Sequence, residues 1–181
     1  MTQRFDASKL CNSGKWGWGL HMRTVAFLFF LTVFVPTELR AQWVYQKQES
    51  AFGSDSVHLA LAAGRGGYAL GIRCTGGDSQ IIYITPEKMG DDAVSLINSS
   101  GAKLLLRVDE EAVVELDPVA SLSDGEALYA ADLSIEVAQS IIDARKRVAV
   151  AVSWLSNNFH ENSFTVRGST KAVGKILENC Q

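Results

Sequence analysis

Between residues 56 and 85 the chain alternates its side chains in three runs, "SVHLALAA", "YALGIRC" and "SQIIYIT", and the glycine-rich breaks "GRGG" and "TGGD" separate them. A period of two sends successive side chains to opposite faces of a strand. A short glycine-rich break lets the chain reverse into a hairpin. The stretch therefore predicts a three-stranded antiparallel meander. In its first strand Val57, Leu59 and Leu61 share one face, and Ser56, His58 and Ala60 share the other, which puts His58 on the polar side. Tyr68, Leu70, Ile72 and Cys74 share a face of the second strand.

The remaining elements follow by the same reasoning. Residues 43–45 read as a short opening strand, and Pro86 is expected to end the third strand of the meander. "PEKMGDDAVSLINSSG" reads as a loop with one helical turn. "KLLLRV" and "AVVEL" make a second hairpin around Asp109, Glu110 and Glu111, and a short strand falls near residues 127–129. Leu133, Val137, Ala138, Ile141 and Ile142 recur at helical spacing. They predict a packed helix over residues 133–146, capped by Asp132, with Arg145, Lys146 and Arg147 at its C-terminus. "VAVAVSW" is a buried strand, "LSNNFHEN" a loop and "SFTVR" another strand. Gly168 then breaks the chain, and Ser169 or Thr170 caps a last helix that runs to Asn179. The fold class is α+β: one domain, mostly antiparallel meanders, one packed helix and a C-terminal helix.

Ahead of this domain stands "HMRTVAFLFFLTVFVPTELRAQW". The apolar run at residues 25–35 is closed by Pro36. A spanning helix needs about 20 apolar residues, whereas about 10–14 suit the core of an export signal. Arg23 precedes the run, and the small Ala41 stands where a signal peptidase would cut, between Ala41 and Gln42. Residues 1–41 are therefore expected to be a removed signal, with Met22 as the start and residues 1–21 as a mis-assigned or extended beginning. Residues 42–181 form the globular domain. Removal takes away five basic and two acidic residues and moves the formal charge from −3 to −6. An acidic domain without a basic stripe argues against nucleic acid as a partner. Two cysteines remain, Cys74 and Cys180, and an even pair in an exported domain suggests a disulfide. The expected location is periplasmic or secreted, with no membrane insertion after cleavage.

The candidate chemistry is sparse. "GRGG" lacks the lysine and hydroxyl that end a phosphate-binding loop, and a strand follows it. Ser169 sits at a strand-to-helix turn, but Thr170-Lys171 stands where a nucleophile elbow needs its second glycine. His58 and His160 read as surface residues with no third group to complete a metal or acid–base site. Asp91-Asp92 and Asp109-Glu110-Glu111 lack the alternating layout of a calcium loop and read as solvated turns. Trp43 and Trp154 read as core anchors. No cofactor or metal is expected.

"QWV" leading into an alternating strand, "ALGIRC" with "IIYIT" close behind, and the closing "FTVRGSTKAVGKILENC" together resemble the VasI-like family of small periplasmic proteins associated with type VI secretion. The resemblance covers most of residues 42–181. It implies no catalytic residues, carries over Cys74 and Cys180 as a structural pair, and implies an accessory role in secretion. The expected function is a non-catalytic envelope protein that binds another envelope protein. The polar loop at Asn157, Asn158, Phe159 and His160 is the candidate contact. A periplasmic inhibitor or small-ligand-binding module using the same loop is the alternative. A hydrolase built on Ser169 or a histidine is the third.

Overall fold

The computed structural model describes residues 42–49 and 56–180. The expected export signal, with Met22 and Ala41, lies outside them. Ten strands form two antiparallel sheets. The larger has the order β1 (Val44–Gln48), β2 (Val57–Ala63), β3 (Ala69–Thr75), β4 (Asp78–Lys88), β8 (Glu126–Asp132), β7 (Val119–Ser123). The smaller has the order β10 (Asn157–Thr165), β9 (Arg147–Trp154), β5 (Lys103–Val108), β6 (Val114–Leu116). Three helices complete the fold: α1 (Asp91–Ser99), α2 (Ile135–Asp143) and α3 (Ser169–Asn179). None of the described helices is long and apolar enough to cross a membrane.

The α+β architecture, the meander and the C-terminal helix match the expectation, but the buried face of β2 does not. His58, Ala60 and Ala62 are the buried side chains, and Leu59 and Leu61 are half-exposed on the opposite face. The reason is α3. Its Ala172, Val173 and Ile176 are buried in the same core as Ala60 and Ala62, and the helix contacts β1, β2 and β3. Small side chains under a helix let its backbone come close. His58 is therefore not a surface residue. It is 7% exposed, and its Nδ1 lies 2.7 Å from the Tyr45 hydroxyl.

Cys74 and Cys180 are bonded, with Cα atoms 6.0 Å apart. The bridge fixes the end of α3 to β3 across a sequence separation of 106 residues. In the chain-entropy model a loop of that size contributes on the order of 4–5 kcal/mol. At the other end of α3, Trp43 Nε1 donates to the Thr165 carbonyl at 2.9 Å and its backbone N–H to that of Arg167 at 2.9 Å. A Cβ on Gly168 would sit 3.0 Å from the Trp43 carbonyl oxygen, so the chain passes this crossing only with glycine, at φ 83°. Trp43, 2% exposed, is the core anchor expected of it.

Several local expectations give way. β4 continues past Pro86 to Lys88, because its register with β8 shifts between Ile84 and Lys88 and the proline falls in that irregularity. Residues 91–99 form a full helix where a loop with one helical turn was expected. β7 is an additional strand, turned into β8 by Asp124-Gly125 with both residues at positive φ. α2 is capped by Ser134, whose hydroxyl accepts from the Val137 N–H, and Asp132 ends β8 instead. Neither Ser169 nor Thr170 caps α3. The buried Ser169 hydroxyl donates to the Val166 carbonyl at 2.9 Å, and the Thr170 hydroxyl donates to that of Ile142 at 3.0 Å.

Arg145, Lys146 and Arg147 lie beyond the end of α2, and their backbone N–H groups converge on one carboxylate. All three donate to Asp109 at 2.8 Å. Asp109 is a turn residue as expected, but its carboxylate has a structural role in that turn. It closes the β5 end of one hairpin onto the start of β9. The N–H groups of Arg145, then Arg147, hold its carboxyl below the usual range. A depressed carboxyl stabilises the fold above the unfolded value of about 3.9, and the effect is lost as pH falls through the lower folded value. Asp109→Asn should therefore lower the melting temperature at pH 7. The gap to wild type should narrow below about pH 4, as thermal unfolding across pH will show.

Candidate interaction hairpin

The loop expected over residues 155–162 is mostly strand. Trp154 pairs with Asn157, Asn158 with Ser153, and Phe159 with Val152, so only Leu155 and Ser156 form the turn between β9 and β10. A two-residue hairpin turn of this hand needs positive φ at both positions and favours Asn-Gly. Here Leu155 has φ 49° and Ser156 φ 63°. Side chains with a Cβ pay strain for that conformation. The Asn157 side chain donates to the Leu155 carbonyl at 3.1 Å and steadies the turn. Leu155 is 73% exposed and Phe159 44% exposed, so two large apolar side chains face solvent at this end of the hairpin.

His160 belongs to a different environment from the three residues before it. The register of β10 shifts between Phe159 and Asn162, and His160 takes φ 53° inside that bulge. Bulges re-aim side chains. Here the imidazole turns to Glu87, with Nε2 2.7 Å from Oε2, and its side chain is 19% exposed. A nitrogen facing a carboxylate carries its hydrogen, which leaves Nδ1 of a neutral ring as the acceptor for the Tyr68 hydroxyl, 3.4 Å away. The Tyr83 hydroxyl donates to the His160 backbone carbonyl. Burial, then the neighbouring Tyr68, Tyr129 and Glu161, pushes the Tyr83 phenol well above its ordinary value. It stays a protonated donor throughout the physiological range. Tyr83 also stacks on Tyr68 at 5.9 Å and meets Phe164 edge-on at 6.2 Å.

The glycine-rich turn has its explanation in the same place. The Asn162 side chain donates to the Arg65 carbonyl at 3.1 Å. A Cβ on Gly64 would stand 2.8 Å from the Phe164 ring, and one on Gly67 would meet Pro86 at 3.1 Å while requiring φ 85°. "GRGG" is a close-approach anchor under the β10 bulge, consistent with the hairpin-turn reading. Tyr68, Tyr83 and Glu87 were not among the expected site residues. No local spacing in the sequence singles them out, because Tyr68 and Tyr83 come together only through the pairing of β3 with β4.

The expected site residues thus divide. Asn157, Asn158 and Phe159 are exposed along the first part of β10, and His160 braces the hairpin from beneath. His58 hydrogen-bonds in a separate group with Tyr45, whose ring lies 4.9 Å from the Lys175 ammonium. Among the described residues no three His, Cys, Asp or Glu side chains could hold a metal ion. A shallow concavity of about 190 Å³ lies on the outer face of the smaller sheet, lined by Leu105, Arg107, Val113, Ala151, Asn158 and Glu161 among others.

No protein-family model and no curated protein matches the sequence. Among solved structures, the chain is similar to the invasion-associated protein B of Bartonella henselae, with 11% identity over 78% of this chain and 95% of that one and a TM-score of 0.49. It is also similar to a protein of unknown function from Burkholderia pseudomallei, with 12% identity over 54% of this chain and 55% of that one and a TM-score of 0.33. The VasI-like resemblance gains no support from these comparisons.

The strained tip carries a direct expectation. Replacing Leu155-Ser156 by Asn-Gly should stabilise the fold by ~1 kcal/mol or more, read by chemical denaturation, because left-handed conformations cost of order 1 kcal/mol or more per residue with a Cβ. The same replacement removes an exposed leucine, so any binding through the tip should weaken while stability rises.

Proposed function

We propose that the chain is a non-catalytic exported protein, periplasmic or secreted, that acts by binding another protein of the cell envelope through the β9–β10 hairpin. The observation that carries this reading is the pairing of solvent-facing Leu155 and Phe159 with a rigid base. Glu87, Tyr68 and Tyr83 lock His160 directly behind them. Exposed apolar side chains on a pre-ordered element bind with little further loss of freedom, and aromatic anchors dominate such contacts. The Cys74–Cys180 bridge supports export, because disulfides persist in oxidising compartments. The narrower assignment, an accessory of a type VI secretion system, rests on the sequence resemblance alone. A periplasmic inhibitor would use the same hairpin, since a two-residue tip is narrow enough to enter a cleft.

A photo-crosslinking residue placed at Leu155 in living cells tests the proposal, with Glu178 on the far end of α3 as control. One discrete adduct from position 155, absent from position 178 and lost when Phe159→Ser is added, is the expected result. The identity of the partner separates secretion machinery from an inhibited enzyme. Identical adducts from both positions, or none from position 155, would overturn the hairpin as the contact.

A further inference from the structure

Among the described residues the helices pack on one side of the six-stranded sheet, and none of them packs on its other face. α3 covers the side of Ala60, Ala62 and Ile72, and α1 packs against β7 at Ala120. The Asn98 side chain also closes the free edge of β7, donating to the Ala120 carbonyl at 3.0 Å and accepting its N–H at 2.7 Å. Edge pairing with another strand is therefore blocked there, and the open surface is the face itself.

That face is apolar across all six strands. Residues opposite one another in register share a side, so Val44, Leu61, Gly71, Ile82, Ala130 and Val119 form one continuous row. Ala69, Ile84 and Leu128 follow in the next row. Arg73, Gln80 and Asp132 stand in the row on the other side. Val44 is 51% and Val119 66% exposed, Leu61, Ile84, Leu128 and Ala130 are half-exposed, and at the centre of the row Ile82 is only 7% exposed and Gly71 is buried under Leu61. A contiguous apolar area of this kind marks an interaction site.

We propose that this face is the interface of a two-fold dimer of the chain, with the symmetry axis running along β4. Such an axis exchanges β3 with β8 and β2 with β7. It sets Ile82 against Ile82 and Ile84 against Ile84 of the second copy. It lays Leu61 over Val119, small Gly71 over small Ala130, and small Ala69 over large Leu128. The charges follow the same symmetry. Arg73 and Asp132 flank Gln80 on adjacent strands, and they are linked through it by bonds of 2.6 and 3.4 Å. Strands are spaced about 4.8 Å apart, so the two charges lie at equal distances on either side of the axis. The rotation places Arg73 of each copy over Asp132 of the other. Four of the five guanidinium N–H groups are left to donate after the bond to Gln80. A two-fold interface must be self-complementary in this way, and sheets packed face to face with aligned strands are a common solution. The inference does not rest on the hairpin reading.

Sedimentation equilibrium of the exported, processed protein tests it. The expected result is a reversible dimer at concentrations on the order of 10 μM. Val119→Asp, at an exposed position, should leave the melting profile of the monomer intact and abolish the dimer. Arg73→Glu and Asp132→Arg should each weaken dimerisation by roughly tenfold or more, and the double exchange Arg73→Glu/Asp132→Arg should restore it. A monomer at ten times that concentration would overturn the proposal. A dimer indifferent to Val119→Asp would do the same, and so would single charge reversals that the double exchange fails to rescue.

Discussion

How closely α3 can approach β2 sets the arrangement of the whole larger sheet. Ala60 and Ala62 leave room for the helix, and Ala172, Val173 and Ile176 fill it. That contact decides which face of β2 is inside, buries His58, and brings the end of α3 over Cys74. The disulfide then holds a position that packing has already reached. At the opposite end of the helix, Gly168 and Trp43 cross within a few ångströms, so β1 is tied to the same element. One helix clamped at both ends thereby organises β1, β2 and β3, and it turns the leucine side of β2 outward.

The smaller sheet is organised differently. Its β9–β10 hairpin meets the larger sheet through Phe164, edge-on to Tyr83 in the shared core, and through polar contacts around the β10 bulge: His160 to Glu87, Tyr83 to the His160 carbonyl, and Asn162 to Arg65. Hydrogen bonds of this kind fix orientation more than they add net stability. Their effect is to hold the bulge still while the strained Leu155-Ser156 turn and Phe159 remain in solvent. A fold that buries most of its apolar side chains leaves these exposed, together with Val44 and Val119 at the two ends of the row across the larger sheet.

Much of the fold was legible because alternation and turn glycines are local signals. β2, β3, the β5–β6 hairpin, β9 and α3 all follow from them. The buried face of β2 was not legible. Both of its faces carry apolar residues, and only the approach of a helix from 100 residues further on chooses between them. The end of β10 was foreseen in "SFTVR", but its first part was hidden because an edge strand braced by polar side chains looks like a loop. Only one turn of α1 was foreseen, because the helix is short and none of its residues is fully buried. The run of Arg145, Lys146 and Arg147 misled because its role lies in three backbone N–H groups, which side-chain identity does not encode. For the hairpin, Asn157 and Asn158 could be named from polarity, and Phe159 from its place among polar neighbours. The brace of Tyr68, Tyr83 and Glu87 could not, since it depends on long-range pairing between two sheets.

The central claim is that α3, locked by Cys74–Cys180, holds β1 to β3 in place, while β5 and β9, which share the same core, are held chiefly by their own ladder. Hydrogen exchange of the folded protein before and after reduction of the disulfide tests this most directly. The account predicts that reduction removes protection from the amides of α3 and of the β1–β2 pair, and leaves those of β5 and β9 protected. Uniform loss across both sheets, or unchanged protection in α3, would contradict it.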